Sequence, residues 1–253
     1  MLERLQSSRS ALDKSVRAQR QLVADASHEL RTPITSLRTN IEVLLAHEEL
    51  SDEERRRMLF DVVEQTEDLS ALISDLIELA RGEATADPME GVRLDRVVAE
   101  SVERAQRNFP GTRFQAALEP VVVEGSPERL GRAVNNLLDN AARHSPGGGV
   151  VEVTVGAHGV RVRDHGPGIA EEDLPYIFDR FYRGSGARGR AGSGLGLAIV
   201  RQVAEQHRGS VHAANAPDGG AVFTLRIAGA PAGDSGERRA DDPSLARGPE
   251  ALA

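Results

Sequence analysis

The chain has 253 residues, a formal net charge of −8, 40% hydrophobic and 28% charged residues, which describes one or two globular domains rather than a disordered chain. The acidic balance argues against a general grip on nucleic acid through counterion release. Cysteine is absent, which excludes disulfides, thiolate catalysis and sulfur-ligated zinc, and no stretch approaches the roughly 18 apolar residues of a membrane span.

Lysine occurs once, at Lys14 in "LDKSV", with no glycine beside it. A Walker-type phosphate loop and Schiff-base chemistry are therefore unsupported, and no serine stands in a G-x-S-x-G elbow. A nucleotide, if bound, needs another kind of phosphate site. With no signal peptide at its start, the chain is expected in the cytoplasm.

Residues 2–47 read as one long helix, because Val23, Ala26, Leu30, Ile34, Leu37, Ile41 and Leu44 recur at spacings of three and four. A second helix is expected over 51–81, opened by Ser51 and Glu54 as a capping box and stopped at Gly82. Met58, Val62, Leu69, Leu72, Leu76 and Leu79 carry its stripe. One such hairpin cannot bury both stripes, whereas two make a four-helix bundle, so a homodimer is expected.

"GEATADPMEG" then reads as a linker, and the pattern beyond it mixes helices with strands. "LDRVVAESVERAQRNF" is an expected helix, "VVVEG" a short strand, and "SPERLGRAVNNLLDNAARHS" a helix with Ser126 as cap and Pro127 at its first position. "VVEVTVGAHGVRVRDHG" reads as a strand pair, "LGLAIVRQVAEQH" as a helix and "SVHAANAPDGGAVFTLRI" as a hairpin. From Gly229 the composition is that of a disordered tail.

Within the first helix stands "VADASHELRTPITSL". At 100° per residue His28 lies about 160° from Leu30, away from the apolar stripe, and Thr32 lies about 40° from His28 on the same face. The stripe keeps its phase past Pro33, so the proline is expected to kink the helix beside His28; the alternative is a new helix starting at Pro33. An exposed imidazole can attack through one ring nitrogen while a neighbouring base, here Glu29, takes the proton from the other. "HELRTP" resembles the phosphoacceptor box of sensor histidine kinases, which implies that His28 is phosphorylated and that Glu29 assists.

On the helix over 126–145, Asn136, Asn140 and Arg143 fall within about 60° of one another, offering oxygen ligands for Mg²⁺ and donors for phosphate. A merely polar face is the alternative. "NNLLDNAARHS" resembles the N box of the same kinases, which implies Asn140 tied to magnesium, Asn136 at the phosphate and metal site, Arg143 in place of a common lysine, and His144 near the nucleotide. "DHGPGI" follows a strand; as plain chemistry, Asp164 can accept from an exocyclic amine where glycines let backbone approach a flat ligand. The resemblance implies adenine held by Asp164, with Gly166, Gly168 and Ile169 shaping the pocket.

"GSGLGLAIV" opens a helix, where backbone amides and the helix dipole favour phosphate. It resembles a second glycine box, implying roles for Gly192, Gly194, Leu195, Gly196 and Leu197. Between the glycine boxes lies "IFDRFYRGSGARGRAGSG". Phe178 and Phe181 are expected to anchor a lid over ATP, with Arg183 reaching the terminal phosphate as in similar kinases. An Arg-Gly segment for single-stranded RNA is the competing reading, disfavoured by the lack of interleaved aromatics. The other histidines show no metal-ligand spacing; His207 and His212 are expected on the surface.

The order of these boxes covers residues 20–228. The resemblance implies a multidomain α and α/β protein: a signalling helix at 1–19, a dimerisation and phosphotransfer hairpin at 20–82, a linker at 83–92, an ATP-binding α/β sandwich of the gyrase and heat-shock-ATPase type at 93–228, and a disordered tail at 229–253. It further implies ATP and Mg²⁺ as cofactors, autophosphorylation of His28, transfer to an aspartate of a response regulator, and phosphatase action through Thr32. The full-length parent would be a plasma-membrane receptor. An ATP-gated conformational ATPase, which would leave His28 and Glu29 without employment, and a non-enzymatic dimeric scaffold remain as alternatives; acid-labile, base-stable phosphate on the protein would separate the kinase from both.

Overall fold

The structure, a computed structural model, describes residues 2–46, 51–82, 89–184 and 193–228. Helix α1 (Leu2–Ala46) runs through Pro33 without a break, and α2 (Asp52–Gly82) packs against it. The capping box forms as expected: Glu54 Oε2 accepts from the Ser51 amide at 3.0 Å, and Ser51 Oγ accepts from the Glu54 amide at 3.3 Å.

The covered positions of α2 follow a three-four repeat: Arg55, Met58, Val62, Gln65, Leu69, Leu72, Leu76 and Leu79. Those of α1 that share this seam include Ala26, Leu30, Leu37 and Leu44. The expected α1 stripe is therefore divided. Val23, Ile34 and Ile41 stay exposed, as do Leu59, Phe60, Val63, Ile73 and Ile77 on α2. Each helix carries a second apolar edge that its own hairpin leaves bare.

The next elements are β1 (Glu90–Arg93), α3 (Leu94–Asn108), β2 (Arg113–Leu118), β3 (Val122–Gly125), α4 (Pro127–His144), β4 (Val150–Gly156), β5 (Gly159–Asp164), α5 (Gly196–Gln206), β6 (Ser210–Asn215) and β7 (Ala221–Arg226). β1 pairs antiparallel with β3, so the last residues of the expected linker are strand; residues 83–88 and the tail from 229 lie outside the described residues. β2, which the sequence did not announce, pairs parallel with β4, and the sheet order is β2-β4-β5-β7-β6. Alternate residues of β4, β5 and β7 are buried, among them Val151, Val153, Val160, Val162, Phe223 and Leu225. Their outward neighbours include Thr154, Arg161 and Arg226. The result is an α/β sandwich with one sheet face covered by α3, α4 and α5.

Ser126 caps α4 as expected, its side chain accepting from the Arg129 amide. The Ser126 amide, in turn, donates to His207 Nε2 at 3.0 Å, while His207 Nδ1 donates to the Val203 carbonyl at 2.8 Å. These bonds define a neutral imidazole with its proton on Nδ1. His207 is only 3% exposed, contrary to its expected surface placement. The reason is long-range: Gly125 and Leu130 close over the ring from the start of α4.

Burial pushes the His207 pKa below the ordinary 6.5. The unfolded chain therefore takes up this proton first as pH falls, and stability is lost below about pH 6.5 and retained above it. His207→Gln should cost about 1–3 kcal/mol at pH 8 and flatten the loss of stability between pH 7 and 5. Melting temperatures of both proteins across that range test this; parallel curves would remove His207 from the acid response.

Candidate active site

The acceptor face lies on α1. His28, Glu29 and Thr32 are all solvent-exposed, as their helical phase requires. Pro33 has no N–H for the Glu29 carbonyl one turn back. Ser27 and Thr35 turn their hydroxyls onto the carbonyls of Val23 and Arg31, at 2.7 and 2.8 Å. Among the described residues Thr32 makes no such bond, so its hydroxyl is not engaged by the helix.

A second site forms where β5 ends. Asp164 is 2% exposed, and its Oδ1 accepts from the amides of Gly166 at 2.9 Å and Ala221 at 3.1 Å. One oxygen thus organises the turn while Oδ2 is spare for a ligand donor. Gly166 lies so close to the His144 carbonyl that any side chain would strike it. Gly168 adopts φ +79° beside Asn215. The Asn215 side chain clamps Ile169 twice, accepting from its amide at 2.8 Å and donating to its carbonyl at 2.7 Å.

α4 brings the N-box residues to the same region. Asn136 faces Gly196 at the start of α5. Its Nδ2 is sealed from solvent and has no hydrogen-bond partner. A buried unpaired amide costs about 1–3 kcal/mol unless something pairs it, so this donor fits a ligand oxygen. Asn140 and His144 are half-buried and Arg143 is exposed. The Arg143 guanidinium and Arg104 pull the Asp139 carboxyl down, but burial wins and raises it. Among the described residues no cluster of three His, Asp or Glu side chains could hold a metal ion. Any Mg²⁺ here would rely on amide and phosphate oxygens, a hard-oxygen set that suits it.

Phe178 and Phe181 pack on the core. Phe181 holds φ +60°, and its amide donates to the Gly194 carbonyl at 3.0 Å. That left-handed geometry is strained for an aromatic residue and is held by its surroundings. Tyr182 donates to Asp173 Oδ1 at 2.7 Å, which pushes its phenol up to about 12. Arg183 is exposed, and Gly192 lies outside the described residues. Leu195 is buried and Leu197 half-buried where α5 begins, and no side chain caps that helix at Leu195. Asn215, Asp173 and Ser193 were missed in the sequence; only the turn residues after Asn215 hinted at a braced loop.

The hairpin and the sandwich also touch. Arg132 Nη2 donates to the Ser74 carbonyl at 2.8 Å, Gln202 to the Leu79 carbonyl at 3.4 Å, and Ser193 Oγ to Asp75 Oδ2 at 3.1 Å. Leu79 is fully buried at this contact. No helix among the described residues is long and apolar enough to cross a membrane.

An exposed histidine on a helical hairpin, followed by a sandwich that carries a glycine-rich turn, a buried carboxylate and an unpaired amide, has the features of a phosphoacceptor module joined to a nucleotide-binding module. Residues 18–85 match the His Kinase A (phospho-acceptor) domain, and 125–230 match the histidine kinase-, DNA gyrase B-, and HSP90-like ATPase family. The chain belongs to the sensor histidine kinases. It is 36% identical to a solved mycobacterial sensor histidine kinase MprB, covering 96% of that chain and 55% of this one with a TM-score of 0.50. The Acinetobacter baumannii histidine kinase AdeS aligns over 79% of this chain and 96% of its own, at 27% identity and a TM-score of 0.62. The signal transduction histidine-protein kinase/phosphatase MprB of Mycobacterium sp. (strain KMS) is 41% identical over 95% of this chain. That of Mycolicibacterium smegmatis (strain ATCC 700084 / mc(2)155) is 44% identical over 83%. The chain spans about half the length of these curated relatives, 49% and 45%.

Asp164→Asn keeps an oxygen for the Gly166 and Ala221 amides but places a donor where a carboxylate oxygen stood. It should weaken ATP binding about ten- to hundredfold with little change in melting temperature. Asp164→Ala should lose both affinity and stability. Calorimetry showing wild-type ATP affinity in the asparagine variant would remove Asp164 from the adenine site.

Proposed function

We propose that this chain is the catalytic part of a protein histidine kinase that phosphorylates itself on His28 and passes the phosphoryl group to an aspartate of a response regulator. The observation that carries the reading is the pairing, in one chain, of exposed His28 and Glu29 with a sandwich in which the Asn136 amide is buried and unpaired. Asp164 Oδ2 and the loop from Gly166 to Ile169 take the adenine, while Asn136, Asn140, Arg143 and the residues around Gly194–Leu197 face the phosphates. Asn140 and Asn136 would hold Mg²⁺ through their side-chain oxygens, and the ion would supply charge neutralisation for the phosphates.

In the reaction a neutral His28 ring nitrogen attacks the γ-phosphorus in line. The new P–N bond forms as the bond to the leaving ADP oxygen breaks, and Glu29 accepts the proton from the other ring nitrogen. In the second step the P–N bond breaks and a P–O bond forms to the regulator's aspartate. Two copies, by covering the bare edges at Val23, Ile34, Ile41, Val63, Ile73 and Ile77, complete a four-helix bundle. A full-length parent that is a plasma-membrane receptor with a sensor segment belongs to the same reading, and the chain's span of about half of the curated relatives supports it. Phosphatase action on the same regulator follows from Thr32, whose hydroxyl shares the acceptor face and can orient water for attack on an aspartyl phosphate.

His28→Gln should abolish transfer of label from γ-labelled ATP to the protein and leave ATP affinity unchanged. Undiminished labelling of the intact variant would sink the assignment. Thr32→Ala should keep near-normal self-phosphorylation and lose most phosphatase activity. Measuring both rates with the cognate regulator decides this one, since a parallel loss would make Thr32 structural.

A further inference from the structure

The junction between hairpin and sandwich is a chain of polar contacts that ends at the nucleotide site. The Leu195 amide, at the start of α5, donates to Ser193 Oγ at 3.2 Å, and the Ser193 hydroxyl donates to Asp75 Oδ2. Arg132, one turn before Asn136 on α4, stands 3.5 Å from Asp75 Oδ1 and binds the Ser74 carbonyl beside it. The Asp75 side chain is 18% exposed, so water screens these contacts only in part. Arg143 also acts on this carboxylate. The Ser193 hydroxyl beside the uncapped end of α5 and the Arg132 guanidinium are thus turned toward a carboxylate supplied by α2, and the Leu195 amide is tied to the same hydroxyl.

A phosphate chain needs the same groups. Helix N-termini with free amides favour anions, and the start of α5 presents that geometry. An anion arriving there must compete with Asp75 for the Ser193 hydroxyl and for the field of Arg143. The carboxylate cannot remain in place beside phosphate oxygens without like-charge repulsion.

We propose that Asp75 is an internal competitor of the nucleotide's phosphates, so that docking of the sandwich on α2 and binding of ATP oppose each other. Docked on α2, the sandwich has the Ser193 hydroxyl and the Arg132 guanidinium, which flank its phosphate-facing groups, engaged by the hairpin. Nucleotide displaces Asp75, breaks the Ser193 and Arg132 ties, and frees the sandwich to travel toward the acceptor histidine on α1. Because docking and nucleotide binding are linked, weakening the dock from the hairpin side must tighten nucleotide binding, by at most the factor by which the dock is weakened. The inference rests on the proposed ATP site.

The test measures affinity of the whole chain for a non-hydrolysable ATP analogue by calorimetry. Asp75→Ala should bind about three- to tenfold tighter than wild type, the factor expected from loss of a partly screened ion pair and one hydrogen bond. Arg132→Gln separates the dock from simple electrostatics. If Asp75 only repelled the ligand through space, removing the nearby arginine would weaken binding; if the dock is what opposes nucleotide, Arg132→Gln also tightens it. Unchanged or weaker binding in Asp75→Ala, or weaker binding in Arg132→Gln, overturns the inference. Wild-type protein that fails to bind the analogue at all would instead overturn the ATP site. Circular dichroism melts confirm that each variant is folded.

Discussion

The proposed nucleotide site depends on one carboxylate oxygen. Asp164 Oδ1, buried at the end of β5, accepts from Gly166 in the loop that follows and from Ala221 at the start of β7. These bonds join two segments 57 residues apart in sequence. With that oxygen fixed, Gly166 can lie against the His144 carbonyl, which ties the loop to the end of α4. Asn215 then braces Ile169 from β6. A charged group this deep would be costly without partners, and its two backbone donors make the burial tolerable. The same constraint leaves the second Asp164 oxygen free to accept from a ligand. Such an arrangement suits recognition of one exocyclic amine.

α2 has two jobs that compete for its surface. Leu69, Leu72, Leu76 and Leu79 belong to the hairpin seam, yet Leu79 is also sealed by the sandwich through the α5 contact, and Ser74 and Asp75 bind groups of the sandwich. The polar composition of this junction matters. Hydrogen bonds to carbonyls and a partly exposed ion pair release more readily than a large apolar interface, so the dock is suited to being broken and remade. Burial raises the Asp75 carboxyl, and the opposing pull of Ser193, Arg132 and Arg143 does not fully offset it.

Much of this was legible in the sequence because the informative signals are local. A capping box at Ser51, a cap and proline at Ser126 and Pro127, and three-four spacing of leucines announce helices without knowledge of the fold. The exposure of His28 followed from helical phase alone. β2 gave no such signal: only Phe114 along it is buried, so no alternation marks the strand. β1 likewise buries only Val92 and reads as linker. His207 was misplaced because what covers it comes from Gly125, Ser126 and Leu130, about 80 residues earlier in the chain. Asp75 looks like any polar position on an amphipathic helix until Ser193, 118 residues on, is brought to it. The division of the α1 stripe was also hidden, since periodicity marks apolar positions without saying which partner covers them.

The exposed imidazole on α1 and the proposed nucleotide site of the sandwich are to serve one reaction. This is tested most directly by incubating the protein with Mg²⁺ and γ-labelled ATP and locating the label in peptides by mass spectrometry under alkaline conditions. The account predicts a base-stable, acid-labile phosphoryl group on the peptide that contains His28. Release of inorganic phosphate with no protein-bound label, or an acid-stable phosphate on a serine or threonine elsewhere, would contradict it.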